Sequence, residues 1–259
     1  MQRVAVFDSG VGGISVLREL ISIMPNENFI YYGDSANAPY GTKSLEEVRQ
    51  LTCNAAEKLL ERDKAKGLVV ACNTATSAAV RILREKYPEI PIVGIEPAVK
   101  PAVLCKTHPK VLVMATPMTV KQDKLKSLIH KYEKQADIIP LPCPGLMNFI
   151  ERGDLYGDDL KHYLDELLYE IKDEKVDAVV LGCTHYPFAR KLISQVLGGN
   201  VLLFDGGAGT AREMKRRLAE KGLLTVSPEK GSVIFENSFM GERREEKICL
   251  CRKLLEIEI

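Results

Sequence analysis

The chain has 259 residues, 46% of them apolar and 27% charged, with a formal net charge of +1. That is the composition of an ordinary globular protein built as one large or two moderate domains. It offers no broad basic or acidic field for nucleic acid or a membrane surface, and no apolar run long enough to span a bilayer. The start, MQRVAVFDSG, enters a strand-like run directly. It lacks the charged start, apolar stretch and small-residue cleavage site of a signal peptide, so a cytoplasmic location is expected.

Along the chain, short apolar runs alternate with helical patterns. Strands are predicted at 4–7, 29–32, 68–71, 92–95, 111–115, 138–141, 178–181 and 201–204. Amphipathic helices are predicted at 14–23, 45–60, 78–86, 120–132, 160–171 and 211–221, the second opened by a Ser44/Glu47 capping box. Such alternation predicts an α/β fold with a mainly parallel sheet flanked by helices. LVVACNT and AVVLGCT look alike, as do VAVFDSG and VLVMATP, and the two pairs are separated by nearly the same number of residues. Two similar α/β domains are therefore expected, one over 1–97 plus 206–259 and the other over 98–205. The segment after Asp205 has no counterpart and is expected to pack back on the first domain.

In an open parallel sheet, ligands bind beyond the C-terminal ends of the strands, so the residues just past each strand are the candidates. They are Asp8-Ser9-Gly10-Val11-Gly12-Gly13, then Gly33-Asp34-Ser35 with Pro39-Tyr40-Gly41, then Cys72-Asn73-Thr74, then Thr116-Pro117-Met118-Thr119, and Gly182-Cys183-Thr184-His185. The glycine turn after the first strand has neither dinucleotide nor P-loop spacing, though its free N–H groups suit an anion such as a carboxylate. Seven cysteines, at 53, 72, 105, 143, 183, 249 and 251, are odd in number and scattered. They imply no disulfide framework and no paired zinc motif, and most are expected to be small core residues. Cys72 and Cys183 differ from the rest. Each follows a buried-type strand and precedes a predicted helix, where the positive helix end lowers a thiol pKa. His185, two residues from Cys183, is a candidate base partner. Glu151 and Asp34 sit in predicted loops, where an acidic side chain is ordinarily just solvated.

Two opposed thiols suit racemisation. One base removes a proton from one face of an α-carbon and a second acid delivers a proton to the other. No lysine context suggests a pyridoxal Schiff base, so no cofactor and no metal are expected.

VFDSGVGG, GDSANAPYGTK, VVACNTAT and LGCTHYP resemble, in order and spacing, the signatures of the bacterial glutamate racemase family, over about residues 4 to 210. The resemblance implies two α/β domains with the active site in the cleft between them, glutamate as substrate, no cofactor, and supply of D-glutamate for peptidoglycan. It assigns Cys72 to D-glutamate and Cys183 to L-glutamate, with Asp8 assisting Cys72, and His185 and Glu151 assisting Cys183. It assigns Ser9, Pro39, Tyr40, Gly41, Asn73, Thr74, Thr116, Thr119 and Thr184 to the substrate's carboxylates and ammonium. One departure is Met118, where the family pattern has glycine before the second threonine. The alternatives are an aspartate or hydantoin racemase of the same superfamily, a non-catalytic amino-acid-binding module, and a thiol–metal site, for which His185 and two cysteines offer too few ligands. A homodimer is the default assembly. The tail GERREEKICLCRKLLEIEI is unfamiliar; its Ile248, Cys251, Leu255 spacing predicts a short amphipathic helix.

Overall fold

Eight of the nine strands among the described residues form where the apolar runs predict them, and the ninth, near the C-terminus, is not predicted. A computed structural model describes residues 2–258. Its strands are β1 (Val4–Asp8), β2 (Phe29–Gly33), β3 (Gly67–Val70), β4 (Ile92–Gly94), β5 (Lys110–Ala115), β6 (Asp137–Pro142), β7 (Ala178–Leu181), β8 (Leu202–Asp205) and β9 (Val233–Asn237). The chain divides into two compact units. The first runs to Glu96 and resumes over Gly207–Ile257; the second is built on Pro97–Gly206.

The first unit holds a five-stranded sheet in the order β4-β3-β1-β2-β9. Every pairing in it is parallel, with Val4 opposite both Phe29 and Gly67. β1 and β3 are buried along their whole length, as a strand covered on both faces must be, and this is why they read as unbroken apolar runs rather than alternating ones. The helix Ile14–Ile23 packs on Gly207–Glu220 and Gly241–Glu256, while Leu45–Glu57 packs on Asn73–Lys86. The capping box forms as predicted: the Glu47 N–H donates to Ser44 Oγ, and the Glu47 carboxylate accepts from the Ser44 N–H.

The second unit holds a four-stranded parallel sheet in the order β6-β5-β7-β8. Written from the other edge this is β8-β7-β5-β6, which matches β4-β3-β1-β2 strand for strand. The likeness between the two halves of the sequence is thus a likeness of topology. On β5, Val111, Val113 and Ala115 join Ala178 and Val180 of β7 in one core with Val99, Val103 and Leu125. Pro140 and Pro142 are tolerated in β6 because it is an edge strand, where a missing N–H costs no ladder bond.

Several boundaries differ from the sequence reading. The helix predicted over 78–86 begins at Asn73. That over 120–132 is two helices, Pro117–Lys121 and Asp123–Tyr132. The six-residue helix Leu146–Glu151 has no counterpart among the predicted elements; it is too short to show a helical period. The segment after Asp205 contributes β9, which pairs with β2, and the long helix Gly241–Glu256. On that helix the buried residues are Ile248, Cys251 and Leu254, so Leu254 rather than Leu255 completes the inward stripe.

Candidate active site

In a sheet whose order runs β2-β1-β3-β4, the chain winds first to one side of β1 and then to the other. The loops after β1 and β3 therefore diverge and leave a crevice at their strand ends. In the first unit that point is occupied by Asp8, Ser9 and Cys72. Asp8 ends β1 and is fully buried. Ala71 N–H donates to the Phe7 carbonyl at 2.8 Å, which carries the register two residues on and lays Ser9 beside Cys72. The Ser9 hydroxyl donates to Cys72 Sγ at 3.5 Å. Cys72 is 7% exposed and is the N-cap of Asn73–Lys86, with its carbonyl accepting from Thr76 N–H. The sulfur thus stands at the positive end of a fourteen-residue helix, where unsatisfied N–H groups favour negative charge.

The glycine turn after β1 proves to serve Asp8. The Gly10 N–H donates to Asp8 Oδ1 at 3.0 Å, and the Tyr31 hydroxyl donates to the Gly10 carbonyl at 2.7 Å. A Cβ on Gly13 would lie 2.6 Å from Asp8 Cβ, so only glycine leaves room for the carboxylate. One N–H expected to be free for an anion is therefore engaged by the protein's own acid.

Asn73 and Thr74, both buried, follow the thiol into the first helical turn. Asn73 Oδ1 is buried and accepts no hydrogen bond from the described residues, an orphan acceptor of the kind that folded proteins rarely leave. Pro39, Tyr40 and Gly41 form the next loop, entered through a cis Ala38–Pro39 peptide bond. Tyr40 is 1% exposed, and its hydroxyl donates to Asp34 Oδ2 at 2.6 Å. Burial first, then the Asp34 carboxylate, push the Tyr40 pKa far above its usual value, so the phenol stays protonated. Asp34 is not a solvated loop acid: it is 3% exposed.

The second unit repeats the arrangement with other partners. Cys183 stands two residues past the end of β7, as Cys72 stands two past the end of β3. It is 8% exposed. The chain then makes a four-residue 3-10 turn, Tyr186–Ala189, with Pro187 in its first positions, and only afterwards enters the seven-residue helix Arg190–Val196. The helix end expected behind this thiol is thus short and displaced. In its place stands a relay: Cys183 Sγ lies 3.6 Å from His185 Nδ1, and His185 Nε2 lies 2.9 Å from Glu151 Oε1. Glu151 is not in a loop but is the last residue of the helix Leu146–Glu151, which Gly145 opens at a left-handed φ of 85°. Burial opposes a charge on His185, but the bonds to Cys183 and Glu151 outweigh it and hold the imidazole pKa well above 6.5.

Thr116 and Thr119 lie just past the end of β5. The Thr116 hydroxyl oxygen accepts from Thr119 N–H at 3.2 Å, and the two hydroxyls lie 2.9 Å apart. The loop keeps its cap with Met118 in place of glycine. Thr184 is buried next to Cys183. Among the described residues, no three His, Cys, Asp or Glu side chains are grouped to hold a metal ion, and no helix is long and apolar enough to cross a membrane.

Cys143 is a further buried thiol on this side of the second sheet. Burial pushes its pKa up, and the neighbouring charge of Cys183 adds to the effect. Its carbonyl accepts from the Tyr186 hydroxyl at 3.3 Å. Nothing in the sequence sets Cys143 apart from an ordinary core cysteine.

A parallel α/β unit with a buried thiol two residues past an inner strand is thus used twice in this chain. The profile of the family described as Asp/Glu/hydantoin racemase matches residues 13–214, and the chain belongs to that family. Relatives that match nearly the whole chain are more particular. Glutamate racemase from Clostridium botulinum is 51% identical over 253 residues, covering 98% of this chain and 96% of that one. Escherichia coli glutamate racemase, solved with L-glutamate and the activator UDP-MurNAc-Ala, is 30% identical with a TM-score of 0.85, covering 98% and 96% of the two chains. Francisella tularensis glutamate racemase, solved with D-glutamate, is 29% identical with a TM-score of 0.83, covering 100% and 95%.

Proposed function

We propose that this protein interconverts L- and D-glutamate without a cofactor, using Cys72 and Cys183 as the two acid/base groups. The observation that carries the reading is the equivalence of the thiols: each stands two residues past the equivalent strand of two sheets of the same order, buried, and next to polar partners. The full-length likeness to glutamate racemases favours glutamate over aspartate or a hydantoin.

In the L-to-D direction the Cys183 thiolate takes the α-proton, and the Cys72 thiol gives its own proton to the opposite face. The pair is left with its roles exchanged, ready for D-glutamate. Thiols suit this because thiolate and thiol interchange near neutral pH with modest tuning. The His185–Glu151 pair steadies negative charge on Cys183, and Asp8 assists at Cys72. Ser9, Pro39, Tyr40, Gly41, Thr74, Thr116, Thr119 and Thr184 hold the substrate's carboxylates and ammonium. The orphan Asn73 Oδ1 is an acceptor matched to the ammonium. The product would supply peptidoglycan synthesis in the cytoplasm, from an enzyme acting as a homodimer with no need of nucleic acid or metal.

The test follows the protons. Racemisation of L-glutamate is run in deuterated water and stopped early. With two thiols, the donor has exchanged with solvent, so new D-glutamate carries deuterium at its α-carbon almost completely while remaining L-glutamate carries little. Hydrogen retained from substrate in most of the early D-glutamate would mean one base serving both faces, and the two-thiol reading would fall.

A further inference from the structure

Asp34 is a buried acid that the racemisation mechanism does not use. It follows β2, and both of its oxygens are engaged by the loop that begins beside it. Oδ2 accepts from the Tyr40 hydroxyl at 2.6 Å, Oδ1 accepts from Asn37 Nδ2 at 2.9 Å, and a second Asn37 contact to Oδ2 measures 3.2 Å. Asn37 closes one short 3-10 turn, Ser35–Asn37, and Tyr40 opens the next, Tyr40–Thr42. The carboxylate therefore ties the two ends of the Ala38–Pro39 bend to a single point. No main-chain ladder holds them together, because these residues belong to no strand. Tyr40 is buried against Phe7 of β1, ring centroids 6.4 Å apart, so the tie also fixes the loop to the strand that ends in Asp8.

A buried carboxylate is costly unless its oxygens are filled. Bonds to an ionised acceptor are about twice as strong as neutral ones. An acid in this place is therefore a device for rigidity at a single spot rather than a neutral filler, and the spot is the Pro39-Tyr40-Gly41 segment.

We infer that Asp34 is a positioning residue for the substrate: by clamping Asn37 and Tyr40 it presets the Pro39–Tyr40–Gly41 turn to hold a carboxylate. The inference rests on the racemase reading of the site and deepens it. Asp34 touches no reacting atom. Its loss should loosen substrate binding and leave the chemical step nearly intact.

The experiment compares wild type with Asp34→Asn, Tyr40→Phe and the double variant, measuring glutamate racemisation by circular dichroism. Near-ultraviolet spectra confirm that each is folded. Asp34→Asn and Tyr40→Phe should each raise KM about tenfold, the worth of one hydrogen bond to a charged group, with kcat changed less than about threefold. Both act on the Tyr40–Asp34 bond, Asp34→Asn by removing its charge and Tyr40→Phe by removing its donor, so their effects should not multiply in the double variant. If Asp34→Asn does not fold, Tyr40→Phe, which deletes only the hydroxyl, decides by the same criterion. An unchanged KM, a fall in kcat at unchanged KM, or single effects that multiply in the double variant would each overturn the inference. A wild type inert toward glutamate removes the racemase reading, and this inference with it; an active wild type with unaltered variants removes this inference alone.

Discussion

The two thiols occupy equivalent points of two sheets with the same strand order, yet they are supported by different physics. Cys72 caps a fourteen-residue helix and receives a hydroxyl hydrogen bond from Ser9. Asp8, the acid that ends the adjacent strand, is held rigid by the Gly10 N–H and by the space at Gly13. Behind Cys183 the helix is short and set back by a 3-10 turn. That thiol has instead a buried imidazole braced by a carboxylate. In the mechanism proposed above, Cys72 relies on the positive end of a helix and Cys183 on a titratable imidazole. A helix end does not titrate, whereas an imidazole does. A fold used twice thus places two thiols in environments that can be tuned separately.

The most severe break in that comparison is removal of either sulfur. Cys72→Ser and Cys183→Ser are each expected to lower racemisation about 1000-fold or more, because a hydroxyl is far too weak an acid to supply the base. Cys53→Ser and Cys105→Ser, which lie outside both strand ends, should leave turnover nearly intact. A folded Cys53→Ser or Cys105→Ser protein with no activity would count against this choice of thiols.

A smaller effect distinguishes the supports. Asp8→Asn and His185→Asn should lower kcat by about 10- to 100-fold and raise KM much less, since each is proposed to act on proton transfer. The two should also weigh unequally on the L-to-D and D-to-L directions, within the limit that the overall equilibrium is fixed. Initial rates from pure L- and pure D-glutamate measure this. A variant that raised KM alone would move its residue to substrate holding.

Legibility in the sequence depends on the length of a pattern. Runs such as VAVFD and AVVL announce strands because burial on both faces leaves almost no polar position in them. The thiols are legible for the same reason: they stand where such a run stops. The helix behind Cys72 reads as starting too late because Asn73, Thr74, Thr76 and Ser77 are modest helix formers; here tertiary packing overrides propensity. Glu151 reads as a loop acid because its helix spans only Leu146–Glu151, less than two turns. Asp34 reads as solvated because its burial depends on Tyr40 and Asn37 folding back over it, which composition does not encode. VIFEN, the ninth strand, is short and lies at a sheet edge with Ile234 exposed, so its pattern is weak.

The smallest expected effect concerns stability, and it isolates the imidazole. In the unfolded chain His185 titrates near the ordinary histidine value of about 6.5. In the folded protein its value is held well above that, the bonds to Cys183 and Glu151 outweighing burial. The folded state therefore binds the proton more tightly than the unfolded state. Linkage then fixes the sign: the stabilising contribution is fully present below about pH 6.5, where both states are protonated, and is lost as pH rises through the folded value. Each unit of separation between the two values is worth about 1.4 kcal/mol. His185→Asn removes the contribution. Urea unfolding of wild type and variant should thus show their widest stability gap at mildly acidic pH, narrowing steadily toward about pH 9. A His185→Asn gap that stayed constant from about pH 6 to about pH 9 would mean that the imidazole is neutral in the folded protein, and that the second thiol is supported by packing rather than charge.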